Sequence, residues 1–291
     1  MRIVSFTRNG GSPRLGVRLN EQIIDLSIAA PQLAQELVEL LAAGPAALDA
    51  VAAAAAAADS ASRVHSASVQ LLPPTTRAGK MICLGINYVD HAAEGGFSKP
   101  DYPVLFMRSS SSLIANGAPL IRPSCSDQLD YEGELVAVIG KRARHLDERQ
   151  ALSFVAGYSI FNDASIRDYQ LRTSQWTIGK NFDGTGAFGP DFVSADELPP
   201  GARGLKIVTR LNGIVVQSAD TSDMVFGVAE TVARLSECMT LEPGDLLIMG
   251  TPAGVGLARK PPLWMKPGDV CEVEIERVGV LRNPVVQEVR A

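Results

Sequence analysis

The chain has 291 residues, 46% of them hydrophobic, with 27 Lys and Arg against 32 Asp and Glu for a formal net charge of −5. That length suits one large domain plus a smaller one, and the apolar fraction is enough to close a core. Basic residues are scattered apart from the short run Lys141-Arg142-Ala143-Arg144 and the pair Arg259-Lys260, which leaves no nucleic-acid footprint, and no run of about 18 uncharged apolar residues offers a membrane span. The opening Met-Arg-Ile-Val-Ser-Phe-Thr-Arg enters a strand-like pattern with no apolar signal segment, so a cytoplasmic location is expected. Cys83, Cys125, Cys238 and Cys271 lie far apart without Cys-x-x-Cys spacing. They read as buried filler rather than a zinc site or disulfide framework.

In chain order, residues 1 to about 26 read as short strands turning at Gly10 and Gly11, followed by a helical stretch from Gln32 to Ala43. The alanine run Ala46 to Ala58 has helix propensity but little amphipathic pattern, as in a surface helix or spacer. Leu71-Leu72-Pro73-Pro74 breaks any helix and sets a boundary: a small N-terminal domain over 1–72 and a second domain over 73–291. Strand-like runs then follow at Met81–Leu84, Val104–Met107, Leu135–Gly140, Tyr158–Asn162, Leu205–Asn212, Asp245–Met249 and Val270–Glu276. Helices are expected only at Asp147–Ala156 and Asp223–Met239. The regular strand–helix alternation of a doubly wound sheet is missing, so the fold class is α+β, mostly β.

The chemistry starts at Asp-Tyr-Glu-Gly-Glu-Leu, residues 130–135, which runs into an apolar strand. Side chains two apart on a strand share a face, so Glu132 and Glu134 point at one place, and a pair of carboxylates there repels unless a cation lies between them. Asp163, at the end of the strand Tyr158–Asn162, would make a third. With no histidine or thiolate in the set, the expected ion is Mg²⁺ or Mn²⁺ rather than Zn²⁺. Arg167, Gln170 and Lys180 follow closely, and a lysine facing the acids would offset surplus negative charge and could hold a substrate carboxylate. His91 has Glu94 one helical turn on, able to hold its ring or share a water with it, in a segment flanked by Gly85, Gly95 and Gly96 that could move as a lid. His65 and His145 have no such neighbours. Gly250-Thr251-Pro252-Ala253-Gly254-Val255-Gly256 follows a buried strand and could offer backbone N–H groups to an anion. This loop has neither Gly-x-x-x-x-Gly-Lys nor Gly-x-Gly-x-x-Gly, which argues against a nucleotide cofactor there.

Five ordered motifs carry a resemblance: Asn-Tyr-x-x-His-x-x-Glu at 87–94, Asp-Tyr-Glu-Gly-Glu-Leu at 130–135, Asn-Asp-x-Ser-x-Arg-x-x-Gln at 162–170, Gly-Lys at 179–180 and Gly-Thr-Pro-x-Gly-Val-Gly at 250–256. Together, over roughly Thr75 to Val286, the chain resembles the fumarylacetoacetate hydrolase family. The resemblance implies a mixed β-sandwich-roll catalytic domain, usually in a homodimer, with Mg²⁺ or Mn²⁺ held by Glu132, Glu134 and Asp163. It implies a small-molecule substrate, a 2-oxo or diketo acid, and a reaction that must stabilise an enolate. The first expectation is C–C hydrolysis of an acylpyruvate or related 2,4-diketo acid. In it His91 is the base, Glu94 its orienter and Lys180 the grip on the 2-oxo acid, with Arg167, Gln170 and Thr251 binding substrate. The alternative is an oxaloacetate-type decarboxylase or hydroxymuconate-type isomerase on the same scaffold. A binding protein without turnover is disfavoured by the presence of both His91 and Glu94. The loops Phe97–Tyr102 and Arg172–Gln175 are expected to select the acyl group.

Overall fold

The computed structural model describes residues 1–94, 96, 98 and 100–289. Its organising element is the strand Gly133–Ile139, every residue of which is buried. A strand without an exposed face must be covered on both sides, and the alternation of side chains assigns the two coverings. Leu135, Ala137 and Ile139 face a core shared with Ile207, Val273, Ile275 and Leu281 and with Val228, Val232 and Leu235 of the helix Val228–Cys238. Val136 and Val138 face a second core that includes Met81, Cys83, Phe188 and Ile248, closed from the N-terminal segment by Leu37, Leu40, Leu41 and Val51. Each fully buried aliphatic side chain here contributes about 1.5–3 kcal/mol.

A two-stranded sheet, Leu129–Asp130 with Ser165–Ile166, and two large ones make up this mostly β, sandwich-like α+β fold among the described residues. The larger runs, in spatial order, Arg63–His65, Gln22–Asp25, Arg14–Leu19, Arg2–Thr7, Gly186–Ser194, Val155–Asp163, Gly133–Ile139, Leu246–Ile248, Met81–Gly85 and Val104–Met107. The smaller runs Ile214–Asp220, Lys206–Leu211, Val270–Ile275, Gly279–Gln287 and Leu120–Arg122. They pack so closely that a Cβ on Gly133 would stand 2.3 Å from Thr209 Oγ1 and 2.8 Å from Val273 Cγ1. The glycine between the two glutamates is therefore demanded by the opposing sheet. The N-terminal strands continue the large sheet, since Arg2 and Ile3 pair with Val193 and Phe192. No helix of the described residues is long and apolar enough to cross a membrane.

Several expectations shift. The helix expected over Gln32–Ala43 spans only Leu37–Ala42, because Glu36 caps it, its carboxylate accepting from the Val38 and Glu39 N–H groups. Asp147–Ala156 is a turn of α-helix at Glu148–Ala151 and a 3₁₀ turn at Leu152–Phe154, after which Val155 and Ala156 already belong to a strand. Asp223 closes a separate 3₁₀ turn, and the following helix starts at Val228. The alanine run forms the helix Pro45–Ala57, which buries Val51 and Ala55. Of the cysteines, Cys83 and Cys271 are buried, but Cys125 and Cys238 are exposed, one in a loop and one in a helix's last turn, so filler is the wrong description for those two.

Candidate metal centre and active site

The acids come together where two paired strands end. Gly133 sits opposite Asn162 across the antiparallel pair, and the Asp163 N–H donates to the Glu132 carbonyl at 2.8 Å. Glu132, Glu134 and Asp163 thereby place one carboxylate oxygen each within 4.8 Å of one another, all buried. Such crowding needs cations. Lys180, on the helical turn Thr177–Lys180, reaches between two of the acids, its ammonium donating to Glu132 at 2.6 Å and to Asp163 at 2.7 Å. Arg167 pairs with Glu132 at 2.7 Å and with Asp130 at 2.8 Å, and the fully buried guanidinium of Arg108 pairs with Asp163.

The distribution of partners divides the acids. Burial pushes the Glu132 carboxyl up, but Lys180 and then Arg167 outweigh it and hold that group down at about 2. Burial also opposes the charge on Lys180, and here Asp163 and Glu132 prevail and raise it. Glu134 receives only the Gly250 N–H, at 2.6 Å, among the described residues. Burial, then the charges of Asp163 and Glu132, drive its carboxyl well above the ordinary carboxylate range. An all-oxygen donor set with negative charge left over, already spanned by a lysine ammonium, fits a hard divalent cation such as Mg²⁺ or Mn²⁺.

His91 and Glu94 lie on the helix Val89–Glu94, with His91 Nδ1 2.8 Å from Glu94 Oε1. A carboxylate only accepts, so Nδ1 carries the proton and Nε2 keeps a free lone pair. The other Glu94 oxygen accepts from the Gly254 N–H at 2.9 Å. The helix is tethered at its start, where Asn87 donates to the Phe226 and Met249 carbonyls and accepts from the Phe226 N–H.

The glycine-rich loop departs from expectation. Three of its N–H groups and that of the following residue are taken by the protein's own acids: Gly250 serves Glu134, Gly254 serves Glu94, and Gly256 and Leu257 serve Asp130 at 2.7 and 2.9 Å. The loop positions three of the protein's own acids. The Thr251 hydroxyl likewise donates to the Gly133 carbonyl and accepts from Gln217, and Gln170 Oε1 accepts from Arg167 at 2.8 Å.

One cavity of about 270 Å³ is lined by His91, Glu94, Glu132, Glu134, Arg167, Gln170, Lys180 and Thr251. Asp163 lies behind Lys180 rather than on the lining. Sequence reasoning missed Arg108 and Asp130, although Asp130 stands inside the motif that flagged the glutamates. Gly95 lies outside the described residues, as do Phe97 and Lys99 of the expected selecting loop. Arg172–Gln175 is exposed, and the cavity is walled instead by its neighbours Leu171 and Trp176.

Comparison with known proteins points the same way as this geometry. Residues 80–286 match the fumarylacetoacetate (FAA) hydrolase C-terminal family. The mitochondrial oxaloacetate tautomerase of Xenopus laevis is 39% identical over 292 residues, covering 98% of this chain and 90% of that one. The fumarylacetoacetate hydrolase of Exiguobacterium antarcticum superposes with a TM-score of 0.85 at 36% identity, over 99% of this chain and 100% of that one. Maleylpyruvate hydrolase from Sphingobium sp. SYK-6, solved with manganese(II) and pyruvate, superposes with a TM-score of 0.82 at 27% identity over 99% of this chain and 100% of that one. The chain is a member of the fumarylacetoacetate hydrolase family.

Proposed function

We propose that the protein is a divalent-metal-dependent enzyme that moves a proton at the carbon beside the keto group of a 2-oxo acid, interconverting keto and enol forms. The observation that carries this reading is one cavity lined by a carboxylate-oriented histidine and by the two glutamates of a three-carboxylate cluster. Glu132, Glu134 and Asp163 would hold Mg²⁺ or Mn²⁺, which when bound supplies a Lewis acid toward the substrate's oxygens and stabilises negative charge as it develops. Lys180, held among the acids, binds the substrate carboxylate and orients the 2-oxo end. Glu94 fixes the His91 ring with its proton on Nδ1, leaving Nε2 to take a proton from the substrate and return it. Gln170 and Arg167 border the substrate, and Thr251 fixes the chain between the two glutamates through the Gly133 carbonyl.

A second reading uses the same parts. If Nε2 instead takes its proton from a water whose oxygen bonds to the distal carbonyl of an acylpyruvate or 2,4-diketo acid, the C–C bond breaks to give a carboxylic acid and pyruvate, whose leaving carbon takes up the proton. The likeness to a maleylpyruvate hydrolase supports this. Tautomerisation stands first because the oxaloacetate tautomerase relative is more similar over nearly the whole chain. The test follows oxaloacetate enol loss, CO₂ release and pyruvate release from a panel of acylpyruvates, all with Mg²⁺ or Mn²⁺. Wild type should accelerate enol loss, and His91→Ala should lose on the order of a hundredfold to ten-thousandfold of that rate. Pyruvate release outpacing tautomerisation replaces the first reading with the hydrolase; faster CO₂ release replaces it with a decarboxylase. In calorimetry Glu134→Ala should lose Mg²⁺ affinity, and unchanged affinity removes the metal from that site.

A further inference from the structure

We propose that Gly85, Phe106 and Trp176 form a seat for an uncharged, apolar substituent on the 2-oxo acid, with Trp176 as the specificity-determining residue. The proposal rests on the reading of the acids and Lys180 as the 2-oxo end of the site. From that end, a short series of contacts leads to the seat. The Lys180 ammonium lies 4.9 Å from the centre of the Phe106 ring. Phe106 meets Trp176 edge-on, ring centres 5.7 Å apart and planes at 67°. Trp176 in turn lies against Gly85, where an added Cβ would stand 2.3 Å from its Cζ3 and 2.9 Å from its Cη2. Only a glycine at 85 lets the indole settle on the strand end.

Both aromatic rings are only half-buried and line the cavity, so each keeps apolar surface for a ligand. Leu84, Val255 and Leu257 extend the same wall. The charge pattern agrees. Apart from the His91 imidazole, the cations among the described lining residues are Arg167 and Lys180, and each is already engaged by two carboxylates. A second carboxylate against the aromatic wall would shed water with no partner to replace it, whereas an alkyl or aryl group loses nothing by leaving water. The favoured ligand therefore has one anionic, chelating end and one apolar end, so oxaloacetate, with its second carboxylate, reports the proton transfer without being the best-fitting 2-oxo acid.

Isothermal titration of the Mg²⁺-loaded protein tests this with oxalate, pyruvate, 2-oxobutanoate, 2-oxopentanoate, 2-oxohexanoate and 2-oxoglutarate. Affinity should tighten by about threefold to fourfold per methylene from pyruvate upward. On the same carbon skeleton, 2-oxoglutarate should bind more weakly than 2-oxopentanoate. Trp176→Ala and Gly85→Ala, the second by displacing the indole, should flatten the gradient while oxalate, which has no tail, binds as in wild type. A flat gradient in wild type, tighter binding of 2-oxoglutarate, or a gradient that survives both variants overturns the proposal. Failure of oxalate to bind wild type removes the assignment of the 2-oxo end, and the seat with it.

Discussion

Glu134 is the least compensated charge in the site. Its two companions have lysine and arginine partners, whereas it has one backbone N–H, and burial with two neighbouring carboxylates pushes its pKa well above the ordinary carboxylate value of 4.5. A group whose folded pKa is raised contributes stability that is present below its ordinary pKa and lost as pH rises through the folded value. At neutral pH the metal-free protein therefore carries a penalty at this position. Glu134→Gln should raise the thermal midpoint of the metal-free protein at pH 7, by about 2–4 °C for each kcal/mol relieved. The gain should shrink as pH falls towards 4.5 and be gone below it. The variant should also lose the midpoint increase that Mg²⁺ gives wild type. A scanning-calorimetry series with and without Mg²⁺ checks both, and a lower midpoint with an intact Mg²⁺ response counts against the assignment. The glutamates were legible because strand alternation alone places them together. Arg108 was not, since it follows a strand at the head of a serine run and meets Asp163 only through the sheet, 55 residues away in sequence.

At the scale of elements, the loop over 250–256 and the helix Val89–Glu94 work as a pair. Glu94 gives one oxygen to His91 and the other to the Gly254 N–H, so it fixes the ring and the loop together. Gly254 has a φ of +106° and lies so close to the opposing hairpin that a Cβ would stand 2.2 Å from the Val216 carbonyl oxygen, which leaves the loop little freedom. Glu94→Ala should lower kcat on the order of a hundredfold with Mg²⁺ affinity unchanged, and Glu94→Gln should recover only part of it, because its single amide oxygen can accept from His91 or from the Gly254 N–H but not from both. Steady-state kinetics beside metal titration checks this; full activity in Glu94→Ala would make the pair ornamental to the chemistry. The loop was visible in the sequence, but its occupants were not, because a glycine-rich segment after a strand says that N–H groups are exposed and nothing about which acids reach them. Strand Gly186–Ser194 escaped for a related reason. Gly-Ala-Phe-Gly-Pro-Asp reads as a turn, yet this strand takes Val155–Asp163 on one side and Arg2–Thr7 on the other. Long-range pairing overrides its local composition.

Over the whole molecule, the N-terminal segment continues the large sheet but places none of its residues among the described lining of the cavity. We assign it a structural part, and its attachment has a checkable weak point. Arg18 Nε donates to both oxygens of Asp191 at 3.0 and 2.9 Å, while Arg2 stands 3.9 Å from the same carboxylate. Burial nevertheless wins over Arg18 and Arg2 and raises Asp191 above its ordinary value, so the pair does not fully offset its own desolvation. Removing one partner and removing both should then differ sharply. Arg18→Met strands a buried carboxylate and should cost about 3 kcal/mol at pH 7, whereas Arg18→Met with Asp191→Asn should recover most of that loss. Because the folded pKa of Asp191 is raised, the deficit of the single variant should shrink as pH falls towards 3.8 and the carboxylate takes up a proton. Urea denaturation of the three proteins at neutral and acidic pH measures these differences. Equal midpoints for Arg18→Met and wild type would show that Arg2 alone suffices. A change in KM or kcat in the folded single variant would mean that the N-terminal segment acts on the active site and does more than close the core.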